Sequence, residues 1–346
     1  MVELTTVGLD LAKRVVQLHA VDFSGRVIER RTLRAERVVE WFANREPCVV
    51  AMEACAGAHA LARSLAKLGH EPRIIAAQFV KPFRLGGKND ANDAQAICVA
   101  ARQAHMRFVR VKAESQQALL AIHKVRDGLK GMRTEALNRL RGLLVEFGLS
   151  FAQSPAAAVK GARLALAEEG LPRLLREAVA DCLDQLGDLE ERIGRWDREI
   201  ALHVKEDQRA SRLRDQLSGV GPITASAIVA SVAEARDFKN GRQFAAWLGL
   251  TPSQHSTGGK TRLGELSRQG DVYLRTLLIQ GARSALQAAQ RANVSRLTHL
   301  QRWILSLYER RGYHKTLAAI ANKHARLIWV LLTSDAPLRA HEICSA

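Results

Sequence analysis

The sequence predicts a chain of the α/β plus all-α class, with a mixed sheet and helices in the first third and helices through the rest. Three observations carry this. Strand-like runs open the chain and give way to strand–helix alternation, the pattern of a mixed α/β sheet. Two long runs then place apolar residues three to five apart, which is helical spacing. The last part is a series of helix-length segments punctuated by Gly, Pro and one polar loop.

In the first part, TTVGLDLA (5–12), RVVQLHAVD (14–22) and GRVIERRTL (25–33) read as strands, with the turn-like FSG between the last two. AERVVEWFAN (35–44) reads as a helix and PCVVAME (47–53) as a buried strand. HALARSLAKLG (59–69) reads as a helix ended by Gly69, and PRIIAA (72–77) as another strand. The helix DAQAICVAARQA (93–104) follows, with Asp93 as a candidate N-cap, and RFVRV (107–111) is a short strand. These elements set a first domain at 1–114. In the helical middle, 115–206, Leu119, Ile122, Val125, Leu129, Met132, Leu137, Leu140, Leu144 and Phe147 form one apolar series. A second holds Val179, Cys182, Leu186, Leu189, Ile193, Trp196, Ile200 and His203. Both fit a helical hairpin within one chain or an oligomer-forming coiled coil.

The third part, 207–346, begins with LSGVGPITASAIVASV. Gly219 and Gly221 flank Val220, and Pro222 opens the next helix. This is the hairpin signature of helix-hairpin-helix DNA binders, in which glycines let backbone N–H groups approach a phosphate at a helix N-terminus. GRQFAAWLGL reads as a helix. TPSQHSTGGKTRLGELSRQGD reads as a loop rich in hydroxyl, Gly and basic residues, and helices run from VYLRTLLIQGARSALQAAQ to about Thr333.

Charge narrows the partner. The 346 residues hold 52 Lys+Arg against 35 Asp+Glu, a net charge of +17. Residues 207–346 carry 20 Lys/Arg and 9 Asp/Glu, so +11 of that total lies there. Such a surface attracts polyanions, nucleic acid above all. The five cysteines are scattered and form no CxxC pair, so neither a zinc ribbon nor a disulfide framework is expected, which fits a reducing cytoplasm. The N-terminus lacks the apolar core of a signal peptide, and LIWVLL is too short to span a bilayer, so no membrane association is expected.

Four acids stand out against this basic background. Asp10 interrupts an apolar strand, Glu53 finishes a buried one, and Asp90 and Asp93 sit three apart in KNDANDA at a helix start. An acid at the end of an apolar strand is costly to bury unless paired or metal-bound. Carboxylates converging from separate elements are what a two-metal phosphoryl-transfer site needs, and hard oxygen ligands suit Mg²⁺ or Mn²⁺. Each acid also has a plain role open to it: Asp10 facing solvent at a strand edge, Glu53 capping the next helix, Asp93 capping its own. Jointly, their spacing matches a ribonuclease-H-like arrangement.

With these motifs in hand, the chain resembles the DEDD transposases of insertion sequences, the insertion-sequence 110 group related to the Piv and MooV invertases. Asp10, Glu53, Asp90 and Asp93 match the family's acids through GLDLAK, MEACAG and KNDANDA. LSGVGPITASAIVA, FAAWLGLTP, HSTGGK and RQGDVYLRTLLIQGAR match its second domain, and the HSTGGK form looks closest to the 1111-type subgroup. The resemblance implies a RuvC-like N-terminal domain, a coiled-coil linker and a helical transposase domain. It implies a bacterial, nucleoid-associated recombinase acting on donor and target DNA, guided by a structured non-coding RNA (a bridge RNA) from its own element. It also implies a serine that attacks the DNA backbone and forms a phosphoserine link, with a metal bound by the four acids completing the centre between subunits of a dimer or tetramer.

Counting back from RQGD in the family's register puts that serine at Ser256, and counting forward from GLTP puts a hydroxyl at Thr257. Ser256 is favoured, because a primary hydroxyl is less hindered and Gly258 and Gly259 let a phosphate approach the backbone. Lys260 and Arg262 are candidates to stabilise the pentavalent phosphate. His255 and Arg268 are candidate nucleic-acid contacts. Two rival functions stay open at this stage. One is a metal-dependent nuclease or Holliday-junction resolvase that cuts with water. The other is a nucleic-acid-binding protein without catalysis.

Overall fold

The computed structural model describes residues 4–85, 90–168, 170–335 and 338. Residues 86–89, immediately before Asp90, and Cys344 lie outside the described residues. The chain divides into two compact units, residues 1–113 and 114–346. The helical middle expected at 115–206 falls in the second.

The first unit contains β1 (Leu4–Leu11), β2 (Val15–Asp22), β3 (Val27–Arg34), α1 (Val38–Ala43), β4 (Val49–Glu53), α2 (Ala58–Lys67), β5 (Glu71–Ile75), α3 (Ala77–Val80), α4 (Asp90–Ala101) and β6 (Phe108–Val109). The sheet order is β3-β2-β1-β4-β5-β6. The first three strands are antiparallel, β4 and β5 run parallel to β1, and β6 is antiparallel to β5. This mixed sheet is consistent with the RuvC-like expectation. Side chains alternate across it. Val7 and Leu9 of β1 join Val50 and Met52 of β4 in a core with Phe42 of α1 and Ala62 and Leu65 of α2. Ala51 and Ile75 face the other way, against Ala96, Ile97 and Ala100 of α4.

Gly8 decides how closely α4 lies on the sheet. A Cβ built there would stand 2.3 Å from the Ala94 carbonyl oxygen and 2.6 Å from the Cys98 nitrogen. Both are backbone atoms that no rotamer change can move. The missing side chain therefore lets one turn of α4 rest directly on β1.

The second unit begins with α5 (Glu114–Val145), α6 (Pro155–Ala167) and α7 (Arg173–Glu206). α5 and α7 pair through Arg126–Asp197 and Arg139–Gln185, so their directions are opposed. Leu129, Leu137, Leu140 and Leu144 pack against Val179, Leu186, Leu189 and Ile193. Within this chain the two apolar series thus close as an antiparallel helical pair. Not every predicted seam position is inside, however: Val125 and Met132 are 46% and 47% exposed. Then come α8 (Gln208–Gln216), α9 (Pro222–Ser231), α10 (Gly241–Trp247), β7 (Pro252–Gln254), β8 (Leu263–Leu266), α11 (Val272–Arg291), α12 (His299–Arg311) and α13 (Tyr313–Thr333). Side-chain caps start several of these helices. Asp207 opens α8, Asn240 opens α10, Asp271 opens α11, and Thr298 with Gln301 forms a capping box on α12. Among the described residues, no helix is long and apolar enough to cross a membrane. Cys48, Cys55, Cys98 and Cys182 are free thiols.

Replacing Gly8 by Ala forces α4 off β1 and is expected to cost about 1–3 kcal/mol, the range for overpacking a core. Gly128→Ala is the control: it lies inside α5 in open space, so it should add roughly 0.5–1 kcal/mol of stability. Urea unfolding followed by circular dichroism measures both.

Candidate active site

The backbone brings the four acids to one end of the sheet. The parallel register of β1 and β4 closes on Leu9 opposite Met52. Asp10 and Glu53 are the next residue of each strand. By alternation Asp10 lies on the face of Gly8, and Glu53 on that of Ala51, which is the α4 face. α4 descends from Asp90 past Ala94 and Cys98, and the Cys98 thiol reaches the Thr6 carbonyl oxygen. Its first turn, carrying Asp90 and Asp93, therefore stands at the Asp10 end of β1.

Asp93 is not the N-cap that the sequence suggested. The helix is already under way at Asp90, so the two acids share its first turn. Residues three apart on a helix sit on one face. That turn is also the positive end of the helix dipole, which favours carboxylates.

The electrostatics reflect this gathering. Asp10 is half-buried, and its carboxyl is pushed up from 3.8 to about 6. Burial is the largest cause, followed by the charges of Asp90, Asp93 and Glu53; a backbone hydrogen bond from Leu11 acts against them. Arg84, on the strand-to-helix connection, pairs with Asp93 at 3.3 Å. Among the described residues no three carboxylates converge into a ready metal cage. The donor set still suits a hard divalent cation. All four groups offer oxygen, and Asp10 carries a charge penalty that a cation would relieve. Arg84 went unnoticed in the sequence, since nothing in RLGG ties it to an acid nine residues on.

The segment read as a serine loop is a β-hairpin. β7 and β8 are antiparallel, with Gln254 opposite Leu263. The His255 N–H donates to the Arg262 carbonyl at 2.9 Å. Thr257 bridges Lys260. Gly258 and Gly259 form the two-residue turn, with φ of +56° and +77°. Two positive φ values mark a type I′ turn, which Gly-Gly supplies without strain. Alternation along this register puts His255, Thr257, Lys260 and Arg262 on one face and Gln254 and Ser256 on the other. The Gln254 amide donates to the Ser256 Oγ at 2.8 Å. Ser256 is exposed. Arg268, just beyond β8, has φ +53° and pairs with Glu265 at 3.3 Å.

Gly219 and Gly221 lie in the connection between α8 and α9. Gly219 has φ +88°, and a Cβ there would meet the Gly281 carbonyl oxygen at 2.2 Å. Gly221 is the N-cap of α9, with Pro222 at its first position. Behind this turn lies a buried polar network that periodicity gave no hint of. His123 of α5 sits 3.0 Å from the Tyr273 hydroxyl and 3.1 Å from Ser226 Oγ. Burial, and then Arg126 and His203, push its pKa down to about 4. It is a neutral imidazole tying α5 to α9 and α11.

The raised Asp10 pKa has a definite sign. The folded state holds that proton more tightly than the unfolded chain, so stability falls as pH rises from about 4 to about 6. In chelator, Asp10→Asn should melt higher than wild type at pH 7, and the gap should close near pH 4. Magnesium should raise the wild-type melting temperature more than that of the variant. Thermal melts across pH check all three.

Comparison with known proteins gives a consistent picture. A DEDD transposase model of the IS110 group matches residues 7–148, and a model described as "Transposase IS116/IS110/IS902 family" matches residues 211–296. The "Probable family 20 transposase" of Pseudomonas aeruginosa is 47% identical, covering 96% of this chain and 98% of the relative. The "Transposase for insertion sequence element IS1111A" of Coxiella burnetii is 38% identical over 98% of this chain and 92% of its own. The "Transposase for insertion sequence element IS1328" of Yersinia enterocolitica is 36% identical over 96% and 98%. The chain thus belongs to the IS110/IS116/IS902 family of DEDD insertion-sequence transposases.

Proposed function

We propose that this transposase is an RNA-guided DNA recombinase that cuts and rejoins strands through a covalent serine–phosphate link. The observation that carries the reading is the pairing of two reactive sets in one chain. Four acids gather at one end of the first unit's sheet, and a hydroxyl-bearing ribbon projects from the second unit. Donor and target DNA, a structured non-coding guide RNA and a homo-oligomer are the partners. The basic charge of residues 207–346 supports the first two. Exposed Val125 and Met132, one heptad apart on α5, support the third.

In the proposed step, Ser256 Oγ bonds to a backbone phosphorus and the bond from phosphorus to one deoxyribose oxygen breaks. The proton lost by the serine ends on that leaving oxygen. Attack on the phosphoserine by a deoxyribose hydroxyl of another strand reverses the sequence, so phosphodiester energy is kept and no nucleotide cofactor is consumed. Ser256 already accepts from Gln254, which orients its Oγ and leaves its proton free to depart. Asp10, Glu53, Asp90 and Asp93 would hold Mg²⁺ or Mn²⁺, which supplies Lewis-acid stabilisation of the phosphate when bound. Lys260 and Arg262 lie across the ribbon from Ser256. They suit gripping flanking backbone, as do His255, Arg268 and the Gly258–Gly259 turn.

Denaturing gels with end-labelled element DNA, guide RNA and Mg²⁺ test the reading. Wild type should give a protein–DNA adduct that disappears with EDTA. Ser256→Ala should give none, while Thr257→Val keeps it. Asp10→Ala should lower strand exchange at least roughly 100-fold, the scale of a lost electrostatic stabiliser. Nicking by Ser256→Ala without any adduct would make the protein a water-using nuclease. Adduct lost only in Thr257→Val would move the nucleophile to the basic face.

A further inference from the structure

Beside the α8–α9 turn lies a polar groove of about 430 Å³, built entirely within the second unit. Its origin is a contact of two glycines. Gly219 in the turn and Gly281 in α11 pack backbone to backbone. A Cβ on either would fall 2.2–2.3 Å from the other's carbonyl oxygen. This contact draws the turn down onto α11 and opens a groove alongside it.

One wall is a stripe of α11. Gln280, Arg283, Ser284 and Gln287 follow the i, i+3, i+4, i+7 spacing of a single helix face, and all four are exposed. Thr224, in the first turn of α9, lines the groove and is only 6% exposed. Among the described residues its hydroxyl has no hydrogen-bond partner, and the four side chains on α11 make no hydrogen bond or ion pair. The residue is buried but its hydroxyl is not sealed from solvent, so it is available to a partner entering the groove. The start of α9 adds backbone donors, because Gly221 offers no side-chain cap.

The lining therefore presents a guanidinium, two amides, two hydroxyls and free helix-start N–H groups. It holds neither a carboxylate nor an aromatic ring. A ligand matched to this surface is anionic, rich in acceptors and without a base to stack. A phosphodiester of duplex DNA, its bases turned inward, has those properties.

We propose that Thr224 and Arg283 form a backbone-phosphate site for duplex DNA, with Gln280, Ser284 and Gln287 as flanking contacts. The site fixes the position of the duplex without reading its sequence. It deepens the DNA-handling reading above and is separate from the serine chemistry.

The test is fluorescence anisotropy of the full chain with a short labelled duplex of arbitrary sequence, titrated across salt. Arg283→Ala should weaken binding about 5- to 10-fold at low salt and flatten the slope of log affinity against log salt by about one. Arg283→Lys should restore the slope. Thr224→Val, isosteric and uncharged, should weaken binding by about threefold at unchanged slope, consistent with one lost hydrogen bond. Matching thermal melts confirm folded variants. Duplex affinity equal to wild type in both Arg283→Ala and Thr224→Val would overturn the proposal. So would loss confined to single-stranded RNA. Adduct formation by Ser256 is scored on separate gels. Missing adduct with the predicted salt slopes intact would count against the serine step and leave the groove standing.

Discussion

The contact between Gly8 and the backbone of α4 is the constraint on which the acid cluster depends. A sheet and a helix ordinarily pack with side chains between them. Here a turn of α4 touches β1 directly, and the helix start is drawn to the strand's end. Asp10 is two residues beyond Gly8 on the same face, so it meets the first turn of α4. The parallel pairing of β1 with β4 then sets Glu53 beside it. A single missing side chain thus converts acids from three separate elements into one electrostatic neighbourhood. Burial raises the Asp10 pKa most, and the charges of Asp90, Asp93 and Glu53 add to it.

Much of this was legible in the sequence, because periodicity and turn residues are local. β1 to β3 and the strand–helix alternation after them follow from alternating and 3.6-residue patterns, and the observed bounds lie within a few residues of the reading. The acids were legible for a different reason: charge at the end of an apolar strand is anomalous. The start of α4 was misjudged because Asp93 has the chemistry of a cap. The helix had begun earlier, and the capping preference of one residue cannot outweigh three further residues in helical conformation. Arg84 was invisible because a pairing across a connection leaves no periodic trace.

The second unit shows the same division. Caps at Asp207, Asn240, Asp271 and Thr298 bear local signals. The hairpin carried one too, since Gly-Gly between strand-like residues is a type I′ turn. Its hydroxyl- and glycine-rich composition suggested a loop instead, and β7 and β8 are too short to show alternation. The His123–Tyr273–Ser226 network joins residues more than a hundred positions apart, and no reading along the chain reveals such a meeting. The close approach of Gly219 to Gly281 is of the same kind: each glycine is visible, but their contact is tertiary.

The two-sided character of the hairpin has a consequence for how such a ribbon can change. Neighbouring positions look out on opposite sides, so inserting one amino acid between Ser256 and the glycine turn would carry Ser256, together with Gln254 two residues before it, to the face of Lys260 and Arg262. Length variation in steps of two would preserve the partition. This short ribbon is thus intolerant of an odd change in length, and its tip is restricted to residues that accept positive φ.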